Sequence, residues 1–152
     1  MPMIELSYRE GSLSEPQVSD LLHRATKTLT WWEKVPDTEH GRAIAWTLAN
    51  ELPANKFLVG GQEPTKPRYR FRVHTIAGLL DDRAKQGTMR DLTKLTLQIE
   101  GAPLTPENLA RVWVLLREYP RENWGIAGAP YAPSGHLSAL DEIKVERDRP
   151  LD

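Results

Sequence analysis

Pro2 carries the most chemistry in this sequence. Initiator methionine is normally removed before a proline, which would start the chain on a secondary amine. An α-amino group has an ordinary pKa of about 7.7–8.0, and proline's starts somewhat higher. Burial or a nearby cation lowers it and frees the base near neutral pH. A base on a rigid ring at a strand end can take a proton from carbon next to a carbonyl. An acidic substrate would also need a cation or several N–H donors beside that base. Arg72 and His74 supply candidates, alternating with Arg70 on one side of residues 69–76. An imidazole titrates near neutrality, so a histidine cation would weaken as pH rises. Arg117 and Arg121 are further cation candidates, and Trp124 is a candidate pocket wall. His23, His40, His74 and His136 lack metal-ligand spacing, so no metal is expected. Gly60-Gly61 is not a phosphate loop, because no Gly-Lys-Ser/Thr follows. No cofactor is implied.

A duplicated element positions these residues. Sliding the chain by 67 positions aligns residues 2–61 with 69–128, with 13 identities and no gap. Chance would give roughly four at average residue usage. Glu51-Leu-Pro53 falls on Glu118-Tyr-Pro120, Trp46 on Trp113, Glu33 on Glu100, and Gly11 on Gly78. Each unit reads β-α-β. Ile4, Leu6 and Tyr8 alternate as a strand over 3–9. Ser14 with Gln17 three residues on reads as a capping box. Val18, Leu21, Leu22, Ala25 and Leu29 form a helical stripe. Residues 42–51 read as the returning strand. In the second unit the strand is 69–76. Asp81 or Asp82 caps a helix whose inner face carries Leu92, Leu95 and Ile99. Thr105-Pro106 opens a short helical turn, and 111–118 returns.

The expected fold is α+β: two tandem β-α-β units in pseudo-two-fold relation, with a four-stranded mixed sheet and both helices on one face. The start of the third strand is expected beside the start of the first, which would bring Arg72 and His74 to Pro2. The other sheet face is left bare and is expected to meet other subunits. One domain is expected over 1–133, with repeats 2–61 and 69–128, a linker at 62–68 and an extended tail at 134–152.

Composition narrows the classes. The chain has 152 residues, and 20 basic against 21 acidic residues give a net charge of −1. Such a chain has no global field to hold a polyanion, so no nucleic-acid partner is expected. The absence of cysteine excludes a disulfide scaffold, a thiol nucleophile and a cysteine-ligated metal. The longest strongly apolar run, Val112–Leu116, is far short of a membrane span. No signal peptide is visible, and the expected location is cytoplasmic.

Pro2 leading directly into a strand, then Glu10-Gly11, then a capped helix, resembles the tautomerase superfamily, whose parent is 4-oxalocrotonate tautomerase. Trp124-Gly-Ile-Ala-Gly128 is similar to that family's closing hairpin. Glu51–Gly61 and Pro120–Gly128 resemble the fused branch of about 150 residues that includes cis-3-chloroacrylic acid dehalogenase. The resemblance covers residues 2 to about 133. It implies a tautomerase/MIF-like fold, a homotrimer, and Pro2 as general base in a pocket that takes an enol, keto or unsaturated acid. The departures are pointed. Positions where the family grips carboxylates with arginine hold Ser12 and Trp113 here, and those of the dehalogenase's two arginines fall near Ala77 and Leu80. The dehalogenase's tyrosine position is Leu115, and its histidine position lies near Leu29. The resemblance therefore implies a keto-enol tautomerase of weak or promiscuous activity. The alternatives are a dehalogenase- or hydratase-like enzyme, and a trimeric binding protein that keeps an idle proline.

Overall fold

A computed structural model of the chain describes residues 2–36, 38–126 and 128–131. The proposed tail at 134–152, with His136, lies outside them. Strand β1 (Met3–Arg9) is followed by helix α1 (Glu15–Trp32), a short helix α2 (Glu39–Ala43) and strand β2 (Trp46–Leu52). The second half repeats this with β3 (Tyr69–Ile76), α3 (Asp82–Glu100), a short α4 (Pro106–Leu109) and β4 (Val112–Tyr119). Each half then makes a 3-10 turn after its proline, Ala54–Lys56 and Arg121–Asn123. The second turn leads into a small hairpin of β5 (Gly125–Ile126) and β6 (Ala129–Pro130).

The sheet order is β2-β1-β3-β4. The outer pairs are parallel, as β-α-β units require, and the central pair β1–β3 is antiparallel. This is the expected mixed sheet, with one placement corrected. Met3 stands opposite His74, and Tyr8 opposite Tyr69. The start of the third strand therefore lies beside the end of the first. The expected two-fold between the halves runs the two central strands in opposite directions, so their starts lie at opposite ends of the pair.

Alternation sorts the side chains into two layers. Ile4, Leu6, Tyr69, Phe71 and Val73 are fully buried with Leu21, Leu29 and Leu92 of the helices. That layer is the core. Gly87 lets the helices approach, because a Cβ there would stand 2.0 Å from the Trp32 ring. Trp32 in turn donates its indole N–H to Asp91 at 3.0 Å. The opposite face carries Glu5, Arg70, Arg72 and His74 along its middle. Trp46, Leu48, Trp113 and Leu115 lie exposed along its two edge strands.

Capping follows the sequence closely. Gln17 Oε1 accepts the Ser14 N–H at 2.9 Å, and Asp81 accepts the Ala84 N–H at 2.7 Å. The second strand starts later than expected, at Trp46, because residues 39–43 form α2.

Candidate active site

The antiparallel centre brings opposite ends of the two units together. The start of β1, the ends of β3 and β4 and the turn after Pro120 enclose a cavity of about 630 Å³. Pro2 is buried in its wall, and its carbonyl accepts the Trp46 N–H at 3.1 Å, which ties it to the head of β2. Ile44 and Trp46 close one side, and Asn123, Trp124 and the β5 residues the other.

The polar groups in this wall form one chain. His74 Nδ1 and the Tyr119 hydroxyl are 2.9 Å apart. The other ring nitrogen, Nε2, is 3.3 Å from Glu5 Oε1, off line for a hydrogen bond. With the ring proton on Nε2, toward Glu5, Nδ1 is free to accept from Tyr119. Tyr119 also stacks on His74 and meets Trp124 edge to face, at centroid distances of 5.7 and 5.5 Å. The Arg117 guanidinium carbon lies 5.3 Å from the Tyr119 ring centroid, a cation–π distance. One aromatic residue thus joins the imidazole, an arginine and the closing turn.

Of the residues singled out from the sequence, Pro2, His74 and Trp124 line this cavity. Arg72, Arg117 and Arg121 do not. Arg72 is two residues from His74, roughly 6.6 Å further along the strand, where it meets Glu5 at 3.7 Å. Arg117 reaches the site only through Tyr119, and Arg121 is exposed at the start of its turn. The expected anion grip of Arg72 with His74 is therefore not assembled here, and both groups face Glu5.

Sequence reasoning missed Tyr119, Glu5, Ile44, Trp46 and Asn123. Tyr119 could have been found by extending the alternation of Arg117 one step, to the residue just before the Pro120 motif. Among the described residues no three His, Asp or Glu side chains converge as a metal site would need.

No protein-family model and no curated protein matches the chain. Solved structures do. The chain is 27% identical to Pt0534 inactivated by 2-oxo-3-pentynoate, with TM-score 0.71, covering 86% of this chain and 95% of that one. It is 21% identical to the wild-type F6 fused 4-OT, an asymmetric trimer, with TM-score 0.69 and coverage of 84% and 94%. It is 18% identical to N1, a member of the cis-3-chloroacrylic acid dehalogenase family, with TM-score 0.70 and coverage of 97% and 92%. The resemblance read from the residues thus holds over most of the chain, which has the tautomerase-superfamily fold in its fused, doubled β-α-β form.

Proposed function

We propose that this chain is a tautomerase-like isomerase in which Pro2, freed by removal of Met1, is the general base for keto-enol interconversion. The observation that carries the reading is the burial of Pro2 in a largely apolar cavity faced by the His74–Tyr119 pair. Burial keeps a secondary amine neutral nearer to physiological pH. In ketonisation of an enol such as phenylenolpyruvate, the Pro2 nitrogen takes the enol hydroxyl proton. The C=C electron pair then takes a proton back from Pro2 as the C=O forms, so the reaction needs no further reagent. To hydrogen-bond the carbonyl oxygen, Tyr119 would turn its single hydroxyl proton from His74 Nδ1 to the substrate.

The test is ketonisation of phenylenolpyruvate by wild type and Pro2→Ala. A general base contributes about 10²–10⁴-fold, so the variant should lose activity on that scale. Equal rates, or none in either protein, would favour a trimeric binding protein with an idle proline. Pt0534 suggests an orthogonal probe. A neutral Pro2 amine would add to the conjugated triple bond of 2-oxo-3-pentynoate, forming an N–C bond and passing its proton to carbon. Mass spectrometry should then find the label on the N-terminal peptide. A dehalogenase- or hydratase-like reaction is less well served, because it must bind carboxylate and activate water, and among the described residues no arginine lines this cavity.

The same reading includes a homotrimer assembled through the uncovered sheet face, where Trp46 is 62% and Trp113 66% exposed. The F6 fused 4-OT is a trimer. Sedimentation should give about three times the 17.3 kDa chain mass, and a stable monomer would overturn the assembly. No described helix is long and apolar enough to cross a membrane.

A further inference from the structure

The repeat that builds the Pro2 cavity builds a second one at the other end of the sheet. Its volume is about 450 Å³, within the usual range for small-molecule sites. Its wall is the first cavity's wall shifted by 67 residues. Tyr69 replaces Pro2, Trp113 replaces Trp46, Arg111 replaces Ile44, Phe57 replaces Trp124 and Lys56 replaces Asn123.

The replacements change its chemistry. Among the described residues the second cavity has no acidic lining, whereas Glu5 lines the first. Arg111 is already neutralised, because Glu100 takes both of its terminal nitrogens at 2.8 Å. Arg68 and Arg70 are not. Each has a buried Nε with no partner, and among the described residues the Arg70 guanidinium hydrogen-bonds only the Ser7 hydroxyl, at 3.1 Å. Lys56 lies exposed at the mouth and forms no ion pair among the described residues. Two guanidinium groups with unused donors therefore share a pocket with Phe57, Leu58 and Trp113. An unmade hydrogen bond from a buried polar atom is costly, and an arginine fork matches a carboxylate in shape.

The geometry points to a second ligand site here, for a small organic carboxylate with an aromatic or branched apolar body. The carboxylate meets Arg68 and Arg70, and the hydrocarbon part lies against Phe57 and Trp113. The site binds without turning over. Tyr69 offers no amine, its backbone N–H is held by the Arg111 carbonyl at 3.0 Å, and burial keeps its phenol well above the usual range. The inference stands on this cavity alone and does not need Pro2 to be a base.

The probe is 4-bromophenylacetate, with the neutral 4-bromophenylacetamide as control. Calorimetry on wild type should show binding of the acid and at least tenfold weaker binding of the amide. Bromine anomalous scattering from a co-crystal should lie between Phe57 and Trp113. An Arg68→Ala/Arg70→Ala double variant should weaken that binding by about ten- to a hundredfold, the range for losing charge-assisted hydrogen bonds. Arg68→Lys/Arg70→Lys, which keeps the charges and guards against a folding artefact, should fall between. Pro2→Ala should leave the second-cavity bromine in place, so loss of tautomerase activity and loss of this site are read separately. Equal binding of acid and amide, unchanged affinity in the alanine variant, or bromine found only in the Pro2 cavity would each overturn the inference.

Discussion

Glu33 and Glu100 are the same residue in two copies of one unit, and they have opposite fates. Glu100, at the end of α3, is gripped by Arg111, which also reaches Asn108 and the Pro67 carbonyl. Glu33, just past the end of α1, has no such cation, because the position of Arg111 is Ile44. One Glu33 oxygen takes the Thr75 hydroxyl at 2.5 Å, and the other is buried without a partner. Thr75 follows His74, one step along the ladder from the Met3–His74 pair, toward Pro2. The second half thus spends its arginine on a structural clamp. The first half has an apolar side chain there, which opens the wall around the proline. The two halves thus build related cavities, and Met3 and Asn123 in the first against Arg70 and Lys56 in the second separate an apolar site from a cationic one.

The clamp should show the largest effect. Arg111→Ala leaves the part-buried Glu100 uncompensated, which costs up to about 3–5 kcal/mol for such a pair. Denaturant unfolding at fixed protein concentration measures it. A loss below about 1 kcal/mol would mean that the ion pair does not distinguish the halves.

A smaller effect is expected at Glu33, and its sign depends on pH. Burial raises the Glu33 pKa above the ordinary value of 4.5, opposed by the Thr75 hydrogen bond and by the chain's amino group. The folded state therefore holds the proton more tightly than the unfolded chain. That contribution is full below the ordinary value and is lost as pH rises through the folded one. Glu33→Gln should flatten this part of the stability profile and be neutral or stabilising at pH 7, by up to about 1–3 kcal/mol for relief of the orphaned oxygen. A variant whose profile keeps the wild-type slope would assign the pH dependence to another group.

The same pairwise comparison explains what was legible in the sequence. Strands β1 and β3 alternate cleanly, and α1 and α3 carry both a cap and a stripe, so local physics fixes them. The strand reading over 42–51 starts too early and takes in the last two residues of α2, because Ile44 and Trp46 continue a period of two. The repeat partner of α2 held the correction. Thr38 caps the Gly41 N–H at 3.1 Å as Thr105 caps the Asn108 N–H at 3.3 Å, and only the second is followed by proline. At the site, His74 was reached by a wrong route. Its place beside Pro2 comes from the antiparallel pairing of β1 with β3, a choice made between the halves that no single segment encodes. Tyr119 was missed for the same reason, because its role exists only once β4 ends beside the start of β1.

The finest difference lies one residue beyond the two glutamates, and it should give the smallest effect. Both helices end in the same hydrogen-bonded loop. The Val35 N–H reaches the Thr30 carbonyl at 2.9 Å, as Ala102 reaches Leu97 at 2.9 Å. Such a loop needs a left-handed residue in its middle. In the second half that residue is Gly101, at φ 80°, and in the first it is Lys34, at φ 56°. A side chain in this region costs about 1–2 kcal/mol, and glycine gives back roughly 0.5–1 kcal/mol through its freer unfolded chain. Lys34→Gly should therefore stabilise the fold by about 0.5–1 kcal/mol, a rise of roughly 1–4 °C in melting temperature for a chain of this size. Gly101→Lys should cost about the same. Both substitutions leave the cavity walls untouched, so phenylenolpyruvate turnover should not change. If Lys34→Gly is neutral while Gly101→Lys is costly, the first loop has already relaxed around its lysine, and the two halves differ in strain as well as in charge.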